Sequence, residues 1–166
     1  RKNSPPGAKK SRRNGAASLF LPVHTYSGGV LWKNTLLLEA PYRFESYITY
    51  MEKDRPYEKQ FYAPRSRTLK TVVDDLQALE DGKFKFYGLS MPSRVGKSTI
   101  CIFFMSWIMG KRPDGHNAMG GHSGLLAKGF YSELLNLIDT PEYNYAEIFP
   151  DLVKNNQVVQ RKSAEE

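Results

Sequence analysis

The stretch SMPSRVGKST, Ser90 to Thr99, lies in the middle of the chain. It ends as a phosphate-binding loop ends, on Gly96, Lys97 and Ser98. The full pattern places a glycine five residues before Gly96. Met91 stands there, followed by Pro92. What gives such a partial match meaning is its context, a strand before it and a helix after it.

Working outward, the context is the expected one. KFKFYGLSM, Lys83 to Met91, holds Phe84, Phe86, Tyr87 and Leu89 and no acid, which predicts a buried strand. STICIFFMSWIM, Ser98 to Met109, is apolar on nearly every face, as a helix enclosed in a core would be. Gly110, Pro113, Asp114 and Gly115 break it. HNAMGG, His116 to Gly121, reads as a weak central strand. SGLLAKGFYSELLNLID reads as a second helix with Ser123 as its N-cap. Strand, loop, helix, strand and helix in that order make the βαβ arrangement of a parallel sheet. The expected fold class is therefore α/β: a P-loop NTPase-type three-layer sandwich with a mainly parallel sheet, left incomplete in this chain.

The loop's residue types suit triphosphate chemistry. A helix N-terminus offers free N–H groups and partial positive charge. Gly96 lets the backbone close where a Cβ would obstruct. Lys97 can reach the β- and γ-phosphates, and the Ser98 hydroxyl can take a Mg²⁺ position, with Thr99 one place late. The candidate nucleotide-binding set is Ser93, Arg94, Val95, Gly96, Lys97, Ser98 and Thr99, with ATP and Mg²⁺ as cofactors. Arg94 reads either as an arginine finger supplied in cis or as a solvated or locally paired arginine. Arg94 and Lys97 are the catalytic candidates. Hydrolysis also needs an acid on Mg²⁺ and a group that positions water. LLNLID, ending at Asp139, reads as helix, and Asp114 and Asp151 follow turns. No acidic strand is legible, so the expectation is the first half of an ATPase site in a fragment of a longer protein.

Elsewhere, Pro41 is expected to open a helix through YRFESYITYMEK, placing Phe44, Tyr47, Ile48 and Met51 on one face. LKTVVDDLQALEDG predicts a helix with Leu69, Val72, Val73, Leu76 and Leu79 inward and Gly82 as a left-handed cap. Residues 19 to 40 read as irregular or short strands, and Glu58 to Arg65 as an ordered loop or short strand.

Length and charge bound the rest. The chain has 166 residues, 40% hydrophobic and 25% charged, which suits about one domain. Six of its seven net positive charges sit in residues 1–18, on Arg1, Lys2, Lys9, Lys10, Arg12 and Arg13. That segment is expected to be a disordered tail, either touching nucleic-acid phosphates or simply solubilising. Residues 19–166 are then the N-terminal portion of the ATPase domain: an adenine-side segment with helices at 19–82, the core at 83–139, and a connection at 140–166. Cys101 is the single cysteine, which fits a reducing compartment and predicts a buried thiol. No signal peptide is legible, and the run Ile100 to Met109 is far short of the ~20 residues of a membrane span. His24, His116 and His122 have no metal-ligand spacing.

SMPSRVGKST, the apolar helix with Trp107, GKRPDGHNAMGGHSGLLAKGFYSELLNLI and EYNYAEIFPDL together resemble the large terminase subunit of tailed bacteriophages. The likeness spans residues 42 to 153. In that family the loop often reads MP-P-R-x-GKS, so Pro92 and the missing glycine are ordinary there. Ser93 replaces the frequent second proline. FYAPR resembles the family's adenine-side segment. The resemblance implies an ATPase that drives double-stranded DNA into a procapsid, with the portal protein and a small terminase subunit as partners, a homo-oligomeric ring, no membrane, and a location in the bacterial cytoplasm. It implies phosphate and Mg²⁺ roles for Lys97 and Ser98 and the cis-arginine role for Arg94. Tyr62 and Arg65 would flank the adenine, and Gln60 would read its edge. The family's acidic strand, coupling segment and nuclease are not in this sequence, so weak binding, little hydrolysis and no DNA cleavage are expected of it alone. The competing readings are another P-loop ATPase of helicase-like type and a non-catalytic nucleic-acid-binding assembly module.

Overall fold

A computed structural model describes residues 30–154. The basic segment 1–18, the stretch 19–29 and residues 155–166 lie outside the described residues, and the expectations made for them lie outside with them.

Among the described residues seven α-helices follow in chain order: α1 (Val30–Glu39), α2 (Phe44–Met51), α3 (Ser66–Glu80), α4 (Lys97–Lys111), α5 (Gly124–Asp139), α6 (Tyr145–Ile148) and α7 (Pro150–Lys154). Short 3₁₀ turns at Tyr57–Lys59, Ala63–Arg65 and Pro141–Tyr143 join them. The apolar stripe read from the sequence makes α2 the centre of the molecule. Phe44, Tyr47, Ile48 and Met51 recur at helical spacing, and all four are fully buried. The helix starts at Phe44, not at Pro41, because residues 40–43 first turn back on Glu39: the Arg43 N–H donates to its carbonyl at 2.8 Å. No side chain of its own caps α2. Gln77 of α3 does so instead, its Oε1 accepting the Phe44 N–H at 2.8 Å, which satisfies a donor that helix geometry leaves open.

α3 buries Leu69, Val72, Val73 and Leu76, and Leu79 packs at the margin of the core. It ends as its sequence indicates. Gly82 takes φ 76°, the Gly82 N–H donates to Leu79 O and the Lys83 N–H to Ala78 O. Those two bonds define a Schellman cap. α5 begins at Ser123, whose Oγ accepts the Leu126 N–H at 3.3 Å, and buries Leu134, Leu135, Leu137 and Ile138. Asp139 therefore closes a helix.

α4 crosses α2 and seals the core. Trp107 is fully buried and donates its indole N–H to Ala40 O at 2.8 Å. Ser106 Oγ lies 2.7 Å from Tyr47 Oη, and Ser106 O accepts Tyr145 Oη at 2.9 Å. Helices α2, α4 and α6 are thus tied by polar bonds inside an aromatic cluster, where unpaired hydroxyls would be costly. Not every face of α4 is enclosed. Cys101 is exposed, contrary to the buried thiol expected.

The α/β expectation is overturned. Among the described residues every regular element is helical and there is no strand. Lys83–Met91 and His116–Gly121 form no ladder. Phe86, expected inside a sheet, is 87% exposed. Tyr87, Leu89 and Met91 do lean on the core while Gly88 and Ser90 face outward, so the segment keeps a strand's two-residue alternation. What it lacks is a partner, since a strand is completed only by another strand's N–H and C=O groups. Residues 30–40, the described part of the stretch read as irregular or short strands, also differ from expectation. From Val30 they form α1, whose leucines favour a helix.

Candidate phosphate-binding site

The loop before α4 carries two left-handed residues, Arg94 at φ 65° and Gly96 at φ 99°. Such turns aim successive N–H groups into one concavity suited to an anion. Gly96 is needed twice over. Its φ disfavours any side chain, and a Cβ there would come within 2.4 Å of Phe61 Cε2. As N-cap, Gly96 supplies no side-chain bond to the first turn of α4, so the N–H groups of that turn stay open to an anion.

Lys97 holds the loop closed. Its ammonium donates to the main-chain oxygens of Met91 and of Pro92, the latter at 2.9 Å. An ammonium has three donors, so one is left for a ligand. Where a sheet would have fixed the entry of the loop, this lysine does so.

A cavity of about 460 Å³ opens beside the loop, lined by Phe61 and Arg65 from one segment and by Ser93, Arg94 and Gly96–Thr99 from the other. Among the described residues, the three cations Arg65, Arg94 and Lys97 share its wall and no carboxylate lines it. Of the residues singled out in the sequence, all of the loop except Val95 line this cavity. Arg65 joins them. Gln60 and Tyr62 do not. Gln60 Nε2 donates to Glu52 O and Arg55 O, and Tyr62 Oη donates to Glu45 Oε1 at 2.8 Å. Both line a second cavity, of about 440 Å³, with Trp32, Glu39 and Glu45.

Two residues missed in the sequence organise the site. Phe61 stacks on Phe103 of α4 with ring centres 5.7 Å apart and planes at 11°, and its edge abuts Gly96. Glu52, 2% exposed, accepts the N–H groups of Phe61 at 2.7 Å and Tyr62 at 3.0 Å. Its pKa is raised, chiefly by burial, with those N–H bonds, Arg55 and Arg65 acting the other way. Glu52 thus pins the segment that carries Phe61 and Arg65 to the end of α2. Phe61 opens the FYAPR segment, from which only Tyr62 and Arg65 were singled out, and Glu52 belongs to no local motif. The only signal for Glu52 was one acid directly after the apolar stripe of α2.

Among the described residues no group of three His, Cys, Asp or Glu side chains could hold a metal ion, and no helix is long and apolar enough to cross a membrane. Compared with protein-family models, curated proteins and solved structures, the chain matches none.

Proposed function

We propose that the loop Ser93–Thr99 binds the phosphates of a Mg²⁺–nucleoside triphosphate, as the ATP-binding part of a DNA-packaging motor. The observation that carries the binding is the convergence of Arg65, Arg94 and Lys97 with the uncapped start of α4 on one cavity that no carboxylate of the described residues lines. Concentrated positive charge and open N–H groups are what a polyphosphate requires.

The residues present fit the phosphates. Lys97, Arg94 and the N–H groups of the first turn would hold them, and Ser98 would offer its hydroxyl to Mg²⁺. Bound Mg²⁺ supplies neutralisation of phosphate charge. With no carboxylate at the cavity to orient water, the described residues serve binding and charge stabilisation, and hydrolysis by this chain is expected to be slow. The motor assignment rests on the ordered sequence likeness to terminase large subunits alone. It brings double-stranded DNA, a portal protein and a small terminase subunit as partners, a ring of copies, and the host cytoplasm at the procapsid portal as location.

Calorimetry of Mg²⁺–ATP binding to the 166-residue chain and to Lys97→Ala tests the binding. The expected result is micromolar affinity that falls at least about tenfold in the variant, the size of one lost charge-assisted contact. Equal binding by the two proteins removes the loop from the site.

A further inference from the structure

We infer that Arg65 is a phosphate-side cation and that the site recognises its nucleotide through the triphosphate, with little discrimination among bases. The inference rests on the phosphate-binding reading of the loop and fixes the substrate class that reading leaves open.

Arg65 is placed for this role from two sides. It ends the 3₁₀ turn Ala63–Arg65, and its guanidinium is anchored by donation to Phe61 O at 3.0 Å and by lying 5.5 Å from the Phe61 ring centre. One of its five donors is spent on that anchor and the others remain for a ligand. Arg65 also lines the cavity with Arg94 and Lys97. A rigid fork of N–H donors matches phosphate oxygens.

The groups able to read a base are committed elsewhere. Recognition of a base uses a free aromatic face for stacking and amide or hydroxyl groups for its hydrogen-bonding edge. Phe61 is the aromatic residue of the cavity wall, and its ring is pressed by Phe103, Arg65 and Gly96. The Gln60 amide donates to two main-chain carbonyls, and the Tyr62 hydroxyl is bound to Glu45. Among the described residues, the side chains at the cavity that can meet a ligand are three cations and the hydroxyls of Ser93, Ser98 and Thr99. Selectivity from that set follows phosphate charge.

The test compares Mg²⁺ complexes of ATP, GTP, CTP and UTP, together with inorganic tripolyphosphate, binding to the full chain by calorimetry. Dissociation constants for the four nucleotides are expected within about threefold of one another, with tripolyphosphate competing against each, because the shared phosphates supply the contacts. Arg65→Ala is expected to weaken all four by about tenfold and Arg65→Lys by less, since lysine keeps the charge and loses the fork. Far-UV circular dichroism checks that each variant keeps its helices. ATP binding at least about tenfold tighter than CTP and UTP, or an Arg65→Ala loss confined to purine nucleotides, overturns the inference and leaves the loop reading standing. A folded chain that binds none of the five probes overturns the loop reading, and this inference with it.

Discussion

Around α2, Phe44, Tyr47, Ile48 and Met51 are wholly enclosed, and Tyr47 also has a hydroxyl partner. Between α3 and α4, and at the start of α5, equally apolar residues face outward: Phe86 is 87% exposed and Leu125 85%. The two regions do not differ in hydrophobicity. They differ in whether a second element is present to cover them. Helices supply their own backbone hydrogen bonds and need only a packing partner. An extended segment needs backbone partners too. The loop Ser93–Thr99 lies on the border. Phe103, Phe61 and Glu52 hold it on the enclosed side, and the unpaired segment Lys83–Met91 leads into it from the open side.

Substitutions on either side should separate the two regions cleanly. Trp107→Ala should cost about 3–5 kcal/mol, since it empties a fully enclosed site and orphans Ala40 O. Urea unfolding measures it, and a loss near zero would mean the enclosed region is not a packed core. Glu52→Ala strips the buried Tyr62 N–H and the part-buried Phe61 N–H of their acceptor, at about 1–3 kcal/mol for the first and less for the second. It should also weaken triphosphate binding, because Phe61 and Arg65 lose their tether, while Glu52→Gln keeps one acceptor and should lie between. Gly96→Ala should cost about 1–2 kcal/mol from the left-handed backbone alone, with further loss from the collision with Phe61. Its clearest readout is binding: an alanine variant that binds ATP like the parent would break the proposed loop geometry.

A pH series sharpens the role of Glu52. Its native pKa is raised above 4.5, with burial the largest cause. The native state then binds the proton more tightly than the unfolded chain, so this group's contribution to stability is complete below 4.5 and is lost as pH rises through the raised value. The stability of the parent relative to Glu52→Gln should therefore increase on acidification across that window. A flat difference contradicts the burial of the carboxyl. The smallest effect is expected at Phe86→Ser, within about 0.5 kcal/mol, as for other exposed positions. A loss of several kcal/mol there, read in the same urea series, would show that Phe86 is covered and erase the distinction between the two regions.

The legible parts of this protein are those whose cause is local. The stripe Phe44, Tyr47, Ile48 and Met51, the inward residues of α3 with their Gly82 cap, and Ser123 at the head of α5 were each readable within a few residues, because turn geometry and capping bonds close over that distance. The need for a glycine at position 96 ahead of an apolar helix was readable for the same reason, though its left-handed φ was not. The strand at Lys83–Met91 was not decided there. Its alternation and its aromatics suit an edge or a centre equally, and only a neighbouring chain segment makes it either. Gln60 and Tyr62 share a peptide with Phe61 and Arg65, yet the two pairs point into different cavities, and no spacing rule separates them.

The sequence by itself determined the inward faces of α2, α3 and α5, the caps at Gly82 and Ser123 and the position of the glycine-lysine-serine turn, because these depend on residues a few positions apart. Only the tertiary structure decided that the apolar stretch before that turn finds no strand partner among the described residues, that Arg65 shares a cavity with the loop Ser93–Thr99 while Tyr62 lines another, and that a buried Glu52 holds their segment. Those outcomes depend on which distant groups satisfy buried hydrogen bonds, and that is settled when the helices pack.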